Sequence, residues 1–382
     1  MATSGLAHFT HDGFTDMLYI FFPIWQAQFN LAFAEVGLFK MLFSGTLAFF
    51  QVPSSYLARR VGVVRMLLAG TLLTSGAAVA YGWASTPFVL GCLLVIGGLG
   101  ASVQHPLSSS LLSDAFHGVE QRRTALSIFN VSGDIGKLVF PASAALLIGG
   151  FGWQPACRTM GLFGIGVTVL LAWLARSLSL DGKTQPATGV RSGTRTSILS
   201  GNRAFGALLG IGILDSATRM GFLTYFPFLL QDKGAGIAVV GLALSLIFSG
   251  GIAGKFVCGI LATRIGVLRS VLITECLTGV CIWAVILMPL HAVLVLCPIL
   301  GVALNGTSSV LYGSVPELVA PEQRPQSFAI FYTATIGSGA LSPLLFGVAS
   351  DVIGLAPTVI MVGALIFATI PLTLPLRGKL AG

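Results

Sequence analysis

Two stretches set 204 residues apart decide how this chain is read: Ser55-Tyr-Leu-Ala-Arg-Arg-Val-Gly-Val-Val-Arg65 and Gly259-Ile-Leu-Ala-Thr-Arg-Ile-Gly-Val-Leu-Arg269, identical at six of eleven positions. A second pair recurs at an offset of 202: Gln121-Arg122 and Ile128-Phe129 return as Gln323-Arg324 and Ile330-Phe331, and Pro141 as Pro343. Asp12 has its counterpart in Asp215, 203 residues on. The chain therefore reads as two copies of one unit, with each basic motif in a short polar break between long apolar runs.

Composition fixes the class of that unit. Lys and Arg number 21 and Asp and Glu 13, so 34 of 382 residues, or 9%, are charged, where a soluble domain carries about a quarter. With 55% hydrophobic residues and a mean hydropathy of +0.91, a water-facing surface cannot be built, and disorder or a coiled coil would need many more charges. Long apolar runs in place of ten-residue alternation select helices over a β-barrel. The six cysteines sit in or beside apolar runs without C-x-x-C spacing, so packing is expected of them, not disulfides or zinc.

Crossing a hydrocarbon core of about 30 Å takes about 20 helical residues. Runs of that length fall at 5–28, 34–57, 66–84, 87–112, 124–149, 156–177, 204–230, 236–262, 270–288, 290–314, 326–349 and 355–376. The expected fold is an all-α integral membrane protein of twelve transmembrane helices in two six-helix, pseudo-symmetric halves. An N-terminal bundle would span 1–178, a Ser-, Thr- and Gly-rich cytoplasmic linker 179–203, and a C-terminal bundle 204–382. The first run contains His8, His11, Asp12 and Asp16 and lacks the basic flank of a cleavable signal, so it is expected to stay.

Basic residues in short loops mark the cytoplasmic side. One set of loops holds 15 of the 21, from Arg59, Arg60 and Arg65 through Arg122, Arg123, Arg176, Lys183, Arg191, Arg195, Arg203, Arg264, Arg269 and Arg324 to Arg377 and Lys379; the opposite loops hold only Arg158 and Lys233. Both termini are expected in the cytoplasm, beneath a bacterial inner (plasma) membrane. The formal charge of +8 comes largely from this bias, so no nucleic-acid partner is implied. The expected partners are the lipid bilayer, a small-molecule substrate and protons.

The duplicated loop motif resembles that of the major facilitator superfamily, G-x-L-A-D-R-x-G-R-R. Leu57, Ala58, Arg60 and Gly62 carry the pattern in one half, and Leu261, Ala262, Arg264 and Gly266 in the other. The resemblance implies a carrier with two six-helix bundles, usually monomeric, whose loops around Arg59, Arg60, Gly62, Arg65, Arg264, Gly266 and Arg269 take part in gating. The acidic position of the motif, which helps to latch one conformation in that family, is Arg59 here and Thr263 in the second copy. The acid-to-arginine spacing from Asp114 to Arg122 and from Glu317 to Arg324 is also family-like. Three further segments resemble the fosmidomycin-resistance branch of drug efflux carriers: Ala7-His-Phe-Thr-His-Asp12, Gly98-Leu-Gly-Ala-Ser-Val-Gln-His-Pro106 and Ser127-Ile-Phe-Asn-Val-Ser-Gly-Asp-Ile-Gly136. Within the last, Ser132 and Asp134 depart from that branch's S-x-F-x-x-G-G-x-x-G pattern.

An ion inside the hydrocarbon costs at least about 2.5–3.5 kcal/mol on insertion scales and so marks function by default. Asp12 and Asp16 share a face of the first span at i,i+4, as do Asp215 and Arg219 in the seventh; the resemblance points both pairs toward a central cavity. Such a carboxylate can exchange a proton for substrate; the alternative is a structural ion pair, Asp215 or Asp16 with Arg219. Asp134 and Lys137, three apart in the fifth span, either neutralise each other, or the lysine binds an anionic group while Asp134 holds the lysine or exchanges with it, a further candidate for proton coupling. Lys40 is read either as a cavity residue or as a lysine snorkelling to the outer surface with Glu35 as partner, and Lys255 as a snorkelling residue near the opposite face. His105 precedes Pro106 and can relay a proton or stabilise a proline bend. Asn130, Tyr225 and Tyr332 are candidates to line a substrate pocket. His8 and His11 share a face, compatible with metal ligation or an interfacial position; without a third ligand at useful spacing, no metal site is expected.

The expected function is proton-coupled export of a small organic molecule, anionic because four basic residues, Lys40, Lys137, Arg219 and Lys255, lie inside spans. An importer or exchanger of anionic metabolites fits the same fold. A membrane enzyme or sensor is disfavoured: G-x-S-x-G, H-E-x-x-H and G-x-x-x-x-G-K-[ST] are all missing, and no cofactor is expected.

Overall fold

The computed structural model describes residues 2–115, 119–177 and 202–380. Lys183, Arg191 and Arg195 of the expected linker lie outside them, and the side chains of Asp114, Arg122 and Arg123 are likewise outside the description.

Every expected span is a helix. In the first copy these are α1 (Ala2–Phe29), α2 (Phe33–Val61), α3 (Val63–Tyr81), α4 (Pro87–Ala101) followed by α5 (Gln104–Ala115), α6 (Val119–Phe151) and α7 (Trp153–Ser177). In the second they are α8 (Arg203–Asp232), α9 (Ile237–Ile265), α10 (Val267–Leu287), α11 (Leu290–Leu318), α12 (Arg324–Ile353) and α13 (Leu355–Leu365), the last continued by two 3-10 turns and the short α14 (Thr369–Leu372). Among the described residues, ten helical segments are long and apolar enough to cross a membrane. Helices α1 and α8 have the length, but ionisable side chains interrupt their apolar surface, and these two carry Asp12, Asp16, Asp215 and Arg219.

Local chemistry explains the breaks. The fourth span parts between α4 and α5 because Pro106 lacks the N–H that would bond the carbonyl of Ser102 four residues back. Pro371 acts in the same way on the last span. Thr86 caps α4, its hydroxyl accepting from Val89 N–H at 3.3 Å, with Pro87 opening the helix. Asn202 caps α8 through Phe205 N–H and donates to the Leu318 carbonyl at 2.7 Å.

The duplicated motif has a structural meaning. Helices α2 and α3 are joined by the single residue Gly62 at φ 100°, and α9 and α10 by Gly266 at φ 87°. A chain that ends one helix and starts the next across one residue needs a backbone conformation open to glycine and strained for others. The arginines around these junctions are exposed. One of them, Arg59, lies over the Tyr56 ring at 5.2 Å.

The chain forms two units. Unit 1 comprises Met1–Leu31, Phe39–Gly189 and Gly236–Ser245, and unit 2 comprises Ala32–Leu38, Val190–Ala235 and Leu246–Gly382. The opening turns of α2 and α9 are thus exchanged relative to a simple division at the linker. Within unit 2, the Asp351 carboxylate accepts from Phe33 N–H at 2.8 Å and Ala34 N–H at 2.9 Å, capping α2. Within unit 1, Ser245 donates to the Leu138 carbonyl at 2.8 Å. All six cysteines are free thiols, four of them buried, in line with a packing role.

In each unit the first helix packs most closely on the fifth span. A Cβ on Gly136 would strike the Phe9 carbonyl, and one on Gly212 would strike the Phe331 ring, so small residues set the α1–α6 and α8–α12 approach.

Replacing Gly62 or Gly266 by Ala is expected to lower stability by about 1–3 kcal/mol each, the cost of placing a residue with a Cβ at positive φ with ψ near 150°. Open space around Gly62 leaves conformation as its whole cost. Thermal unfolding in detergent, with Gly259→Ala as a helical control, checks this.

Candidate functional site

In unit 1 the ionisable groups of α1, α5 and α6 converge on Asp12. Its Oδ1 accepts from His11 Nδ1–H at 2.9 Å and lies 3.3 Å from His8 Nε2 and 3.7 Å from His105 Nε2. Its Oδ2 faces Lys137 Nζ at 3.2 Å, and the same ammonium reaches Asp134 Oδ1 at 3.5 Å. His8 and Asp12 share one face of α1 at i,i+4, while Lys137 stands one turn from Asp134 on α6. His8 is stacked on Phe129 at 3.9 Å between ring centroids, and its Nδ1 lies 2.7 Å from the Phe129 carbonyl. Gly133 makes room for all of this: a Cβ there would come within 2.6 Å of both Asp12 Oδ2 and His8 Cε1.

Burial divides the cluster. His8, His11 and Asp12 are hidden, whereas the side chains of Lys137 and His105 remain 30% and 36% exposed. The cluster therefore presents a cation and an imidazole outward, backed by buried carboxylate. Asp16, one turn along α1, is buried as well, and its charge acts on Lys40 and Lys137.

In unit 2 the counterpart is smaller. Arg219 Nη2 lies 3.9 Å from Asp215 Oδ2, with the arginine side chain 25% exposed. They border a cavity of about 50 Å³ that also touches Ser216, Tyr312, Phe331 and Thr335, with Tyr312 and Thr335 hydroxyls 3.0 Å apart. A third charge belongs here that the sequence reading passed over: Glu275 of α10 is fully buried, its Oε1 has no hydrogen-bond partner, and its charge acts with those of Asp215 and Arg219. The signal was present, since Glu275 is the sole acid within the ninth span and stands five residues into it.

Some expected placements are corrected. Lys40 does not snorkel: it is completely buried, its ammonium 4.2 Å over the Tyr19 ring. Glu35 is not its partner but accepts from Ala32 N–H at 2.8 Å, closing the turn that opens α2. Tyr225 is buried, and its hydroxyl meets the carbonyls of Pro343 at 2.6 Å and Phe33 at 3.0 Å. Asn130 is exposed on α6, outside the Asp12 cluster. Tyr332 is partly exposed, its ring 5.4 Å from that of Tyr312.

Comparison with known proteins gives the family and the fold. The family model described as Major Facilitator Superfamily matches residues 5–335 and 208–380. The chain is similar to the fosmidomycin resistance protein of Escherichia coli (strain K12), 26% identical over 355 residues, covering 91% of this chain and 85% of that protein. It is also similar to a probable sulfoacetate transporter of Cupriavidus necator, 22% identical over 256 residues, 64% of this chain and 59% of that one. Among solved structures it superposes on a bacterial homolog of the human lysosomal transporter Spinster, in an inward-facing and occupied conformation, with a TM-score of 0.81 at 16% identity, covering 100% and 97% of the two chains.

Because Gly133 has no space for a methyl group, Gly133→Ala is expected to displace the Asp12–His8 pair and cost about 1–3 kcal/mol. Gly206→Ala, at a helical position with nothing within 4 Å, should be neutral or slightly stabilising. Thermal midpoints of the two variants measured side by side check the contrast.

Proposed function

The chain belongs to the major facilitator superfamily, and from that premise we propose that it is a secondary transporter that moves a small organic anion by alternating access, coupled to protons. As a member of that family it is a multi-pass integral membrane transporter and not an enzyme. We place its termini in the cytoplasm on the strength of the 15 basic residues on one set of loops.

One observation carries the anion preference. Each unit holds a partly exposed cation against buried carboxylate, Lys137 with Asp12 and Asp134, and Arg219 with Asp215. Cations held so offer charge-assisted bonds to a phosphonate, sulfonate or carboxylate. An anion that draws Arg219 away leaves Asp215 without compensation in an apolar bundle, beside the second carboxylate of Glu275. A proton removes that penalty. Anion and proton occupancy are linked through this pair, which is why we assign coupling to Asp215 with Glu275.

Export, the direction suggested by the likeness to a resistance protein over 91% of the chain, requires anion and proton to occupy the carrier in turn. The pairing of Asp215 with Arg219 favours a second reading, uptake, because a proton and an anion that bind together would travel together down an inward proton gradient.

Proteoliposomes with an imposed pH gradient test this, using fosmidomycin, sulfoacetate, simple carboxylates and cationic drugs as probes. Anions should drive proton movement and cations should not. Asp215→Asn should abolish the coupled proton movement, and acidification should speed anion transport in the native protein but not in this variant. Lys137→Gln and Arg219→Gln should each lower anion transport at least about tenfold, the loss of one bond to a charged group. Intact anion transport in both variants would overturn the proposal, and the gradient polarity that accumulates substrate separates export from uptake.

A further inference from the structure

The cluster around Asp12 has a feature that anion transport does not use. The Phe129 carbonyl can only accept, so the 2.7 Å contact puts the proton of His8 on Nδ1. The lone pair of the neutral ring is then on Nε2. That atom is buried, 3.3 Å from the Asp12 carboxylate, and makes no hydrogen bond. Two acceptors face each other across this gap, an arrangement that repels unless a cation sits between them.

We propose that His8 Nε2, Asp12 Oδ1 and His105 Nε2 are the protein ligands of a divalent first-row transition metal, with Zn²⁺ as the type ion and a fourth position open. The three atoms lie within 4.8 Å of one another, with 3.3 Å and 3.7 Å as the two separations from Asp12. Tetrahedral coordination with bonds of about 2.0–2.2 Å requires ligand separations of about 3.3–3.6 Å; both separations from Asp12 are close to this, and a rotation of the partly exposed His105 ring brings its nitrogen, within 4.8 Å of the other two ligand atoms, into range. Imidazole nitrogen with one carboxylate oxygen is a borderline donor set that suits zinc and its neighbours over calcium or magnesium.

The surroundings are those of a metal site. Ligating histidines donate their other N–H to a carbonyl or carboxylate, as His8 does to Phe129, and stacking on Phe129 fixes the ring plane. Asp12 is oriented in turn by His11 and Lys137. With neutral imidazoles, Asp12, Asp134 and Lys137 sum to one negative charge, so a divalent ion is attracted and leaves one positive charge for a water or an anionic oxygen at the open position. His105, 36% exposed, gives the access route. The first helix supplies two ligands one turn apart. The third comes from the far side of the Pro106 break, more than ninety residues away.

The test uses the full chain in detergent, purified through a tag without histidine and stripped with chelator. Zinc is titrated calorimetrically, and Co²⁺ serves as the spectroscopic probe. One equivalent should bind, Co²⁺ should show the intense visible bands of four-coordination, and Zn²⁺ should raise the thermal midpoint. Asp12→Asn and His105→Ala should each weaken binding at least about tenfold, the lower bound for disturbing even a supporting shell. His291→Ala, at an exposed histidine elsewhere, should leave it unchanged. No saturable Zn²⁺ binding to the native chain, or affinity unaltered by His105→Ala, would overturn the site and leave a proton as the cation between His8 and Asp12. These are binding measurements, so they stand or fall separately from the transport reading.

Discussion

A carboxylate inside an apolar helical bundle must find its compensation in neighbouring helices, because lipid offers none. Asp12 imposes this constraint on unit 1. To meet it, α1 brings two imidazoles, α5 a third, and α6 a lysine. Gly133 and Gly136 let α6 come close enough to deliver that lysine. The break before Pro106 brings His105 to the same carboxylate. Tight packing and charge compensation are therefore one problem here, since each ångström of separation between α1 and α6 would weaken the contacts that make Asp12 tolerable.

The two halves answer the same problem differently. Unit 2 places Asp215 at the position of Asp12 but compensates it with an arginine on its own helix, four residues on, and adds Glu275 as a second carboxylate. An intrahelical pair needs no precise helix–helix distance, and a cavity remains beside it. Duplication preserved the acid and the glycine junctions, and divergence changed what surrounds the acid. The result is one crowded, imidazole-rich site and one with two carboxylates and a single arginine, two chemistries on one architecture.

Several features were legible in advance because they depend on near neighbours in the chain. Span positions follow from apolar length, the junctions from Gly62 and Gly266 in the repeat, and the Asp215–Arg219 and Asp134–Lys137 pairs from helical spacing. The misreadings all concern what a side chain meets from elsewhere. Lys40 near a helix end suggested snorkelling, but the ring of Tyr19, twenty-one residues away in sequence, holds it inside. Tyr225 had a pocket residue's composition, but two distant carbonyls engage its hydroxyl. Glu275 was overlooked because it has no charged neighbour at i±3 or i±4, the spacing that singles out Asp12 with Asp16, Asp134 with Lys137 and Asp215 with Arg219.

The sequence by itself determined that this is a duplicated, twelve-span membrane protein and which few residues could carry charge within it. Those conclusions rest on composition and on periods of a few residues, which survive without knowledge of contacts. Only the tertiary structure decided that three histidines and a lysine surround one aspartate, for Asp12, His105 and Lys137 lie on three helices whose approach is set by packing. His8 and His11 lacked a third ligand while the chain was read as a line; the third arrives only once α5 is folded against α1. Contacts across helices answer to steric fit and to the cost of burying charge, and neither is written in the spacing of any one segment.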